Sequence, residues 1–261
     1  MTNISKALQR ELDGIAQVAE YLWQKGWAER NGGNITVNLT HLIDDGFCEG
    51  QPVSQPIDLG QELDGIKGHY FYAKGTGRRM RDLARNAMQN GSIIRICDDG
   101  MHYQIIGDPI EPTSELPAHL ALQNMFALTG SANRAIVHTH PIELIAMSHL
   151  QEFLDEKHLT ETLWSMIPET VLFAPKGIGV VHFHQPGSLE MAVDTLETMK
   201  CFDVVLWEKH GVCAAGENVI EAFDQIDVLN KAAQIYQSAC TMGQKPQGIV
   251  LEEVEKMRNM H

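Results

Sequence analysis

The chain has 261 residues, 44% hydrophobic and 21% charged, and its 20 basic against 34 acidic side chains give a formal charge of −14. This composition is that of a globular protein and excludes collagen-like, coiled-coil and mostly disordered chains; the acidic balance also excludes sequence-independent nucleic-acid binding, which runs on clustered Lys and Arg. Apolar runs are too short to span a bilayer, and the start of the chain, with Asn3, Lys6, Gln9, Arg10 and Glu11, lacks a signal-peptide core, so a cytoplasmic protein without membrane contact is expected.

Apolar residues at Ile4, Leu8, Leu12, Ile15, Ala19 and Leu22 keep a 3.6-residue period, and Gly26 stands where a helix stop belongs. A turn at Asn31, Gly32, Gly33 and Asn34 leads into an alternating strand over 35–40. Residues 44–68 are rich in Gly and Pro and predict an irregular connection, followed by strands at 69–73, 92–97 and 102–106, the last two joined by the hairpin signal Asp99-Gly100. Pro117 opens a helix that runs to Leu128. Further on come a buried-type strand at 134–140, a helix at 144–153, a helix around 159–166, and strands at 171–174, 180–184 and 204–207. Helices follow the caps Ser188 and Asn218, and Gly243 ends the last. With no linker and no strict βαβ rhythm, the expectation is one α/β domain over residues 1–261.

Five widely spaced cysteines without a CxxC motif predict reduced thiols and no disulfide framework. The chemistry-bearing signals are histidines and glycine loops. His138 and His140 stand at i and i+2 near the end of a strand, so both imidazoles face one side and can converge on one metal ion. His182 and His184 have the same spacing, and spacing alone does not separate the two pairs. His210, with Gly211 behind it, follows another strand. Thr113, Ser114 and Glu115 precede a helix, where free N–H groups and hydroxyls suit a phosphate, although a plain serine cap has the same pattern. The loops 31–34 and 74–78 expose backbone donors without matching a nucleotide fingerprint.

Taken in order, the stretches 26–36, 75–77, 111–119, 138–140 and 206–211 resemble the class II aldolase and adducin family, and the resemblance runs from Asn3 to about Gly243. It implies a three-layer α/β/α sandwich around a mixed, largely antiparallel sheet. It also implies one Zn²⁺ per subunit held by His138, His140 and His210, with His182 and His184 outside the site. Glu115 matches the catalytic carboxylate, and Asn31, Gly33, Asn34, Thr76, Thr113 and Ser114 match positions around phosphate and substrate. Thr76 stands where serine is more usual, which keeps the hydroxyl. Glu169 falls near a glutamate that completes a neighbouring subunit's site, in a homotetramer with sites at subunit interfaces. The implied reaction is metal-dependent retro-aldol cleavage of a ketose 1-phosphate. Epimerases and dehydratases of sugar phosphates, and non-catalytic adducin-like modules, share the scaffold.

Overall fold

In the computed structural model, which describes residues 4–44, 47–48 and 51–259, the N-terminal apolar period folds as helix α1 (Lys6–Gln24), capped by Ser5, whose hydroxyl accepts the Leu8 N–H at 3.1 Å. Asn3, and Asp45, Gly46, Glu49 and Gly50 within the expected irregular stretch, lie outside the described residues. The chain divides into two compact units, residues 1–137 with 216–220, and residues 138–215 with 221–261.

The first unit carries β1 (Asn34–Asn38), β2 (Ile57–Asp58), β3 (Tyr70–Lys74), the short helix α2 (Met80–Leu83), β4 (Gly91–Ile96), β5 (His102–Ile106) and α3 (Leu116–Thr129). Its strands are antiparallel in the order β2-β5-β4-β3-β1. The two-residue period of β3 sends Phe71 and Ala73 to one face, where they meet Ile94, Ile96 and Ile105 from the neighbouring strands and Leu116 and Leu120 from α3. Each large side chain buried there contributes ~1.5–3 kcal/mol relative to exposure. Lys74, the last residue of β3, falls on the other face with Tyr72.

Strand β6 (Ala135–Thr139) begins in the first unit and ends in the second. The second unit continues through α4 (Ile142–Met147), α5 (Glu156–Trp164), α6 (Pro168–Phe173), β7 (Gly179–Val181), α7 (Leu189–Thr198), β8 (Val204–Trp207), β9 (Gly211–Gly216), α8 (Val219–Cys240) and α9 (Leu251–Arg258). Here β7 pairs with β8 in parallel and β8 with β9 antiparallel, so the sheet is mixed. The expected α/β class, a mixed sheet with helices on both sides, is what the chain adopts.

Three expectations are corrected. Residues 171–174 are not a strand: they belong mostly to α6, which Pro168 opens at its first turn and the Thr170 hydroxyl stabilises by donating to the Ile167 carbonyl. A short apolar run cannot tell helix from strand by period alone. The helix expected over 144–153 stops at Met147, where the Ser148 hydroxyl turns back onto the Ile145 carbonyl at 2.7 Å, and a 3-10 turn over Gln151–Leu154 follows. Strand β7 covers Gly179–Val181, not 180–184, so His182 and His184 lie beyond its end. Helix α9, which the sequence reading did not anticipate, packs Val254 against Trp164 and Val171.

Candidate active site

The histidine cluster is built wholly within the second unit. His138 is 1% exposed at the end of β6, and its Nδ1 lies 3.0 Å from the Val212 carbonyl. A carbonyl only accepts, so Nδ1 carries the proton and Nε2 presents its lone pair. His140 Nε2 lies 3.2 Å from that atom, and one nitrogen from each of His138, His140 and His210 falls within 4.8 Å of the others. Such a set of three imidazoles suits a borderline-soft divalent cation.

His210 is brought in by the turn between β8 and β9. Lys209 adopts φ +59°, a left-handed conformation that costs an L-residue ~1–2 kcal/mol. Its N–H donates to the buried Ser148 hydroxyl at 2.8 Å, and the His210 N–H donates to the Trp207 carbonyl at 3.0 Å. Gly211 then allows the turn to close: a Cβ there would lie 2.6 Å from the Thr139 carbonyl oxygen and 2.9 Å from ring carbons of both His138 and His140. This is an observation of fit to a metal, because only a hydrogen at that position leaves the imidazoles free to meet. The buried Trp207 ring lies 4.5 Å from His138 and 5.2 Å from His210, held by its Nε1–H on the Thr195 hydroxyl at 2.9 Å. Trp207 and Ser148 support the cluster and were not singled out from the sequence; the apolar strand ending in Trp207 just before His210 was the available signal for the first.

His182 and His184 do not join. His182 is 3.5 Å from Glu208, and His184 is 2.7 Å from Asp194. Glu208 also holds Lys209 Nζ at 2.7 Å and the Phe183 N–H at 3.0 Å, and the ammonium foremost keeps its carboxyl below the ordinary range.

The glycine loops and the hydroxyl cluster gather within the first unit. Gly75 bridges Pro112, the Thr76 N–H donates to the Glu111 carbonyl at 2.8 Å, and the Thr113 N–H donates to the Lys74 carbonyl at 2.9 Å. These backbone bonds set Thr76 opposite Glu111 and Lys74 opposite Thr113, and so join the two loops. Lys74 Nζ reaches the Asn31 carbonyl at 3.0 Å and so ties in the loop of Gly33 and Asn34. Asn31, Thr76 and Ser114 are exposed, Gly33, Asn34 and Thr113 buried. Glu115, not Ser114, occupies the cap position of α3 and makes no side-chain cap bond; instead its N–H donates to the Thr113 hydroxyl at 3.3 Å. The plain serine cap is therefore not what forms. His119, one turn into α3, bonds Thr36 and is held neutral by burial, its pKa lowered to about 4. Glu169 stands exposed in the first turn of α6, in the second unit.

The family description "Class II Aldolase and Adducin N-terminal domain" matches residues 13–237. A rhamnulose-1-phosphate aldolase of Bacteroides thetaiotaomicron is 52% identical over 252 residues, covering 96% of this chain and 94% of that one. A protein of the same name from Enterococcus faecalis is 32% identical over 235 residues, covering 89% and 84%. The crystal structure of a sugar-phosphate aldolase from Thermotoga maritima superposes with a TM-score of 0.80 at 36% identity, covering 93% of this chain and all (100%) of that one. An L-fuculose-1-phosphate aldolase from Thermus thermophilus shares the fold, at a TM-score of 0.60 and 19% identity over 92% and 99% of the two chains. The chain belongs to the class II aldolase and adducin family, and it is an aldolase, a carbon–carbon lyase.

Proposed function

We propose that the protein cleaves L-rhamnulose 1-phosphate reversibly into dihydroxyacetone phosphate and L-lactaldehyde. The observation that carries this reading is the convergence of His138, His140 and His210, together with relatives that bear the name of that activity. The three histidines would hold Zn²⁺, which when bound supplies Lewis acidity toward the ketose oxygens.

The chain's own groups divide the remaining work. Asn31, Gly33, Asn34, Thr76, Thr113 and Ser114 bind the phosphate end through amide, hydroxyl and backbone donors. In cleavage the C4 hydroxyl loses its proton, the C3–C4 bond breaks with its electron pair left on C3, and the aldehyde departs. Glu115 returns a proton to C3, and removes it in the synthetic direction; Glu169 of a neighbouring subunit handles the proton of the C4 oxygen. That last role needs an oligomer with shared sites, which the family resemblance makes a homotetramer, and the whole chain serves as one cytoplasmic enzyme domain.

The test is to give the purified protein L-rhamnulose 1-phosphate, L-fuculose 1-phosphate and L-ribulose 5-phosphate, with and without chelator, and identify the products. Lactaldehyde and dihydroxyacetone phosphate from the first substrate, lost on chelation and restored by Zn²⁺, are expected. Faster conversion of either rival substrate, or indifference to the chelator, overturns the reading.

A further inference from the structure

Lys74 is 2% exposed, an unusual place for an ammonium, whose removal from water costs several kcal/mol unless it is paired and hydrogen-bonded. It has three N–H donors, and among the described residues one hydrogen bond accounts for it, the 3.0 Å contact with the Asn31 carbonyl. Burial pulls its pKa down to about 8, and the nearby Glu115 carboxylate works in the opposite direction. Structure alone does not repay this arrangement, because an apolar side chain of similar length would fill the place without a desolvation cost.

The surroundings say what the charge is for. Lys74 ends β3 where the loops 31–34, 74–78 and 111–115 are tied together by the Asn31, Glu111 and Lys74 carbonyls. The same loops carry the exposed Asn31, Thr76 and Ser114, and the Arg78 side chain lies against Gly75. In a chain of charge −14 the loops set two cations, Lys74 and Arg78, and several neutral donors beside the carboxylates of Glu111 and Glu115, and cations with neutral donors are the chemistry that recognises a phosphate dianion.

We propose that the Lys74 ammonium is the charged floor of the phosphate seat and donates directly to the phosphate of the substrate. The inference rests on the reading of Asn31, Thr76, Thr113 and Ser114 as that seat. It adds a full positive charge to a set of otherwise neutral donors, and it explains the buried lysine. Its two remaining N–H groups are the donors the ligand takes up. One consequence is selectivity for phosphorylated over unphosphorylated ketoses, since the charge is wasted without the dianion.

The experiment uses metal-loaded protein and inorganic phosphate as the probe, titrated calorimetrically into the wild type, Lys74→Met and Lys74→Gln, with ketose 1-phosphate kinetics alongside. A charge-assisted hydrogen bond of this kind predicts ~10–100-fold weaker phosphate binding in both variants, with the loss in KM and not in kcat. Wild-type affinity in either variant overturns the proposal, as does a wild type that binds no phosphate. A purely structural lysine would instead lower kcat or stability and leave phosphate affinity intact in the folded fraction. Should neither variant fold, wild-type sulfate binding decides. Sulfate keeps its charge from pH 7 to 9.5, and Arg78 keeps its own, so affinity must fall ~10-fold or more as Lys74 loses its proton through about 8. A flat profile overturns the proposal. Lys74-dependent phosphate binding in a protein that cleaves no ketose phosphate would sink the aldolase assignment and leave the seat standing.

Discussion

The histidine cluster and the loop cluster are built by opposite strategies. The first is wired into buried backbone: His138 through the Val212 carbonyl, His210 through a left-handed Lys209 held by Ser148, and both against the Trp207 ring. The second spends its backbone bonds on a rigid frame and leaves Asn31, Thr76 and Ser114 exposed on its rim. A metal needs ligand atoms in place before it arrives, and a few tenths of an ångström matter; a phosphate is taken by several donors that adjust together. Damage to the first cluster should therefore appear as lost metal, and damage to the second as lost substrate affinity or lost proton transfer.

The largest expected effect sharpens that division. Glu115→Gln keeps the shape of the loop cluster and removes a titratable carboxyl, so turnover should fall ~10²–10⁴-fold with metal stoichiometry unchanged by elemental analysis. Lost metal in that variant would break the division outright. Gly211→Ala acts on the other side: with the Thr139 carbonyl 2.6 Å from the new Cβ, the turn must shift, and metal affinity should drop ~10–100-fold. Competition with a chromogenic chelator measures this, and an unchanged affinity would show that the close approach is not what sets the histidines.

A smaller effect separates the two regions by pH. His119 is buried against Thr36 with its folded pKa lowered to about 4, below the 6.5 of the unfolded chain. The unfolded state therefore binds the proton first. The contribution of this group is fully present above pH 6.5 and is lost as pH falls toward 4, by up to about 3 kcal/mol. Burial lowers His41 and His69 in the same direction. Urea midpoints for the wild type should fall between pH 7.5 and 5, and His119→Gln should flatten most of that slope. The smallest effect is at the turn: Lys209→Gly relieves the φ of +59° but loosens the unfolded chain, for a net change within about 1 kcal/mol in thermal unfolding. A loss well beyond that would mean the side chain, through its 2.7 Å contact with Glu208, matters more than the backbone.

Much of this was legible in residue order. The i, i+2 spacing marked His138, in β6, and His140, one residue past its end, as a pair, the cap Ser188 set a helix start, and Gly26 and Gly243 stood at positive φ where helices end. These are local properties, decided by backbone sterics and by the bonds of one or two turns. The distinction between two identical His-x-His pairs was not local. Spacing made His182 and His184 equal candidates, and it is their places beside Glu208 and Asp194, away from His210, that leave them out of the cluster.

The sequence by itself determined the donor types, the periods and the breakpoints, because these depend on neighbours within about a helical turn. Tertiary structure decided which donors meet. Ser148 finds Lys209 across 61 positions, Lys74 finds Asn31 across 43, and Thr36 finds His119 across 83. No period encodes such distances: they depend on which strands pair and in which register, and register is fixed by the burial of the whole sheet. The same physics turned 171–173 into helix, since Pro168 and the Thr170 hydroxyl bonds outweighed a weak preference for strand. It also buried Lys74, which in sequence is only the last polar residue before a glycine loop.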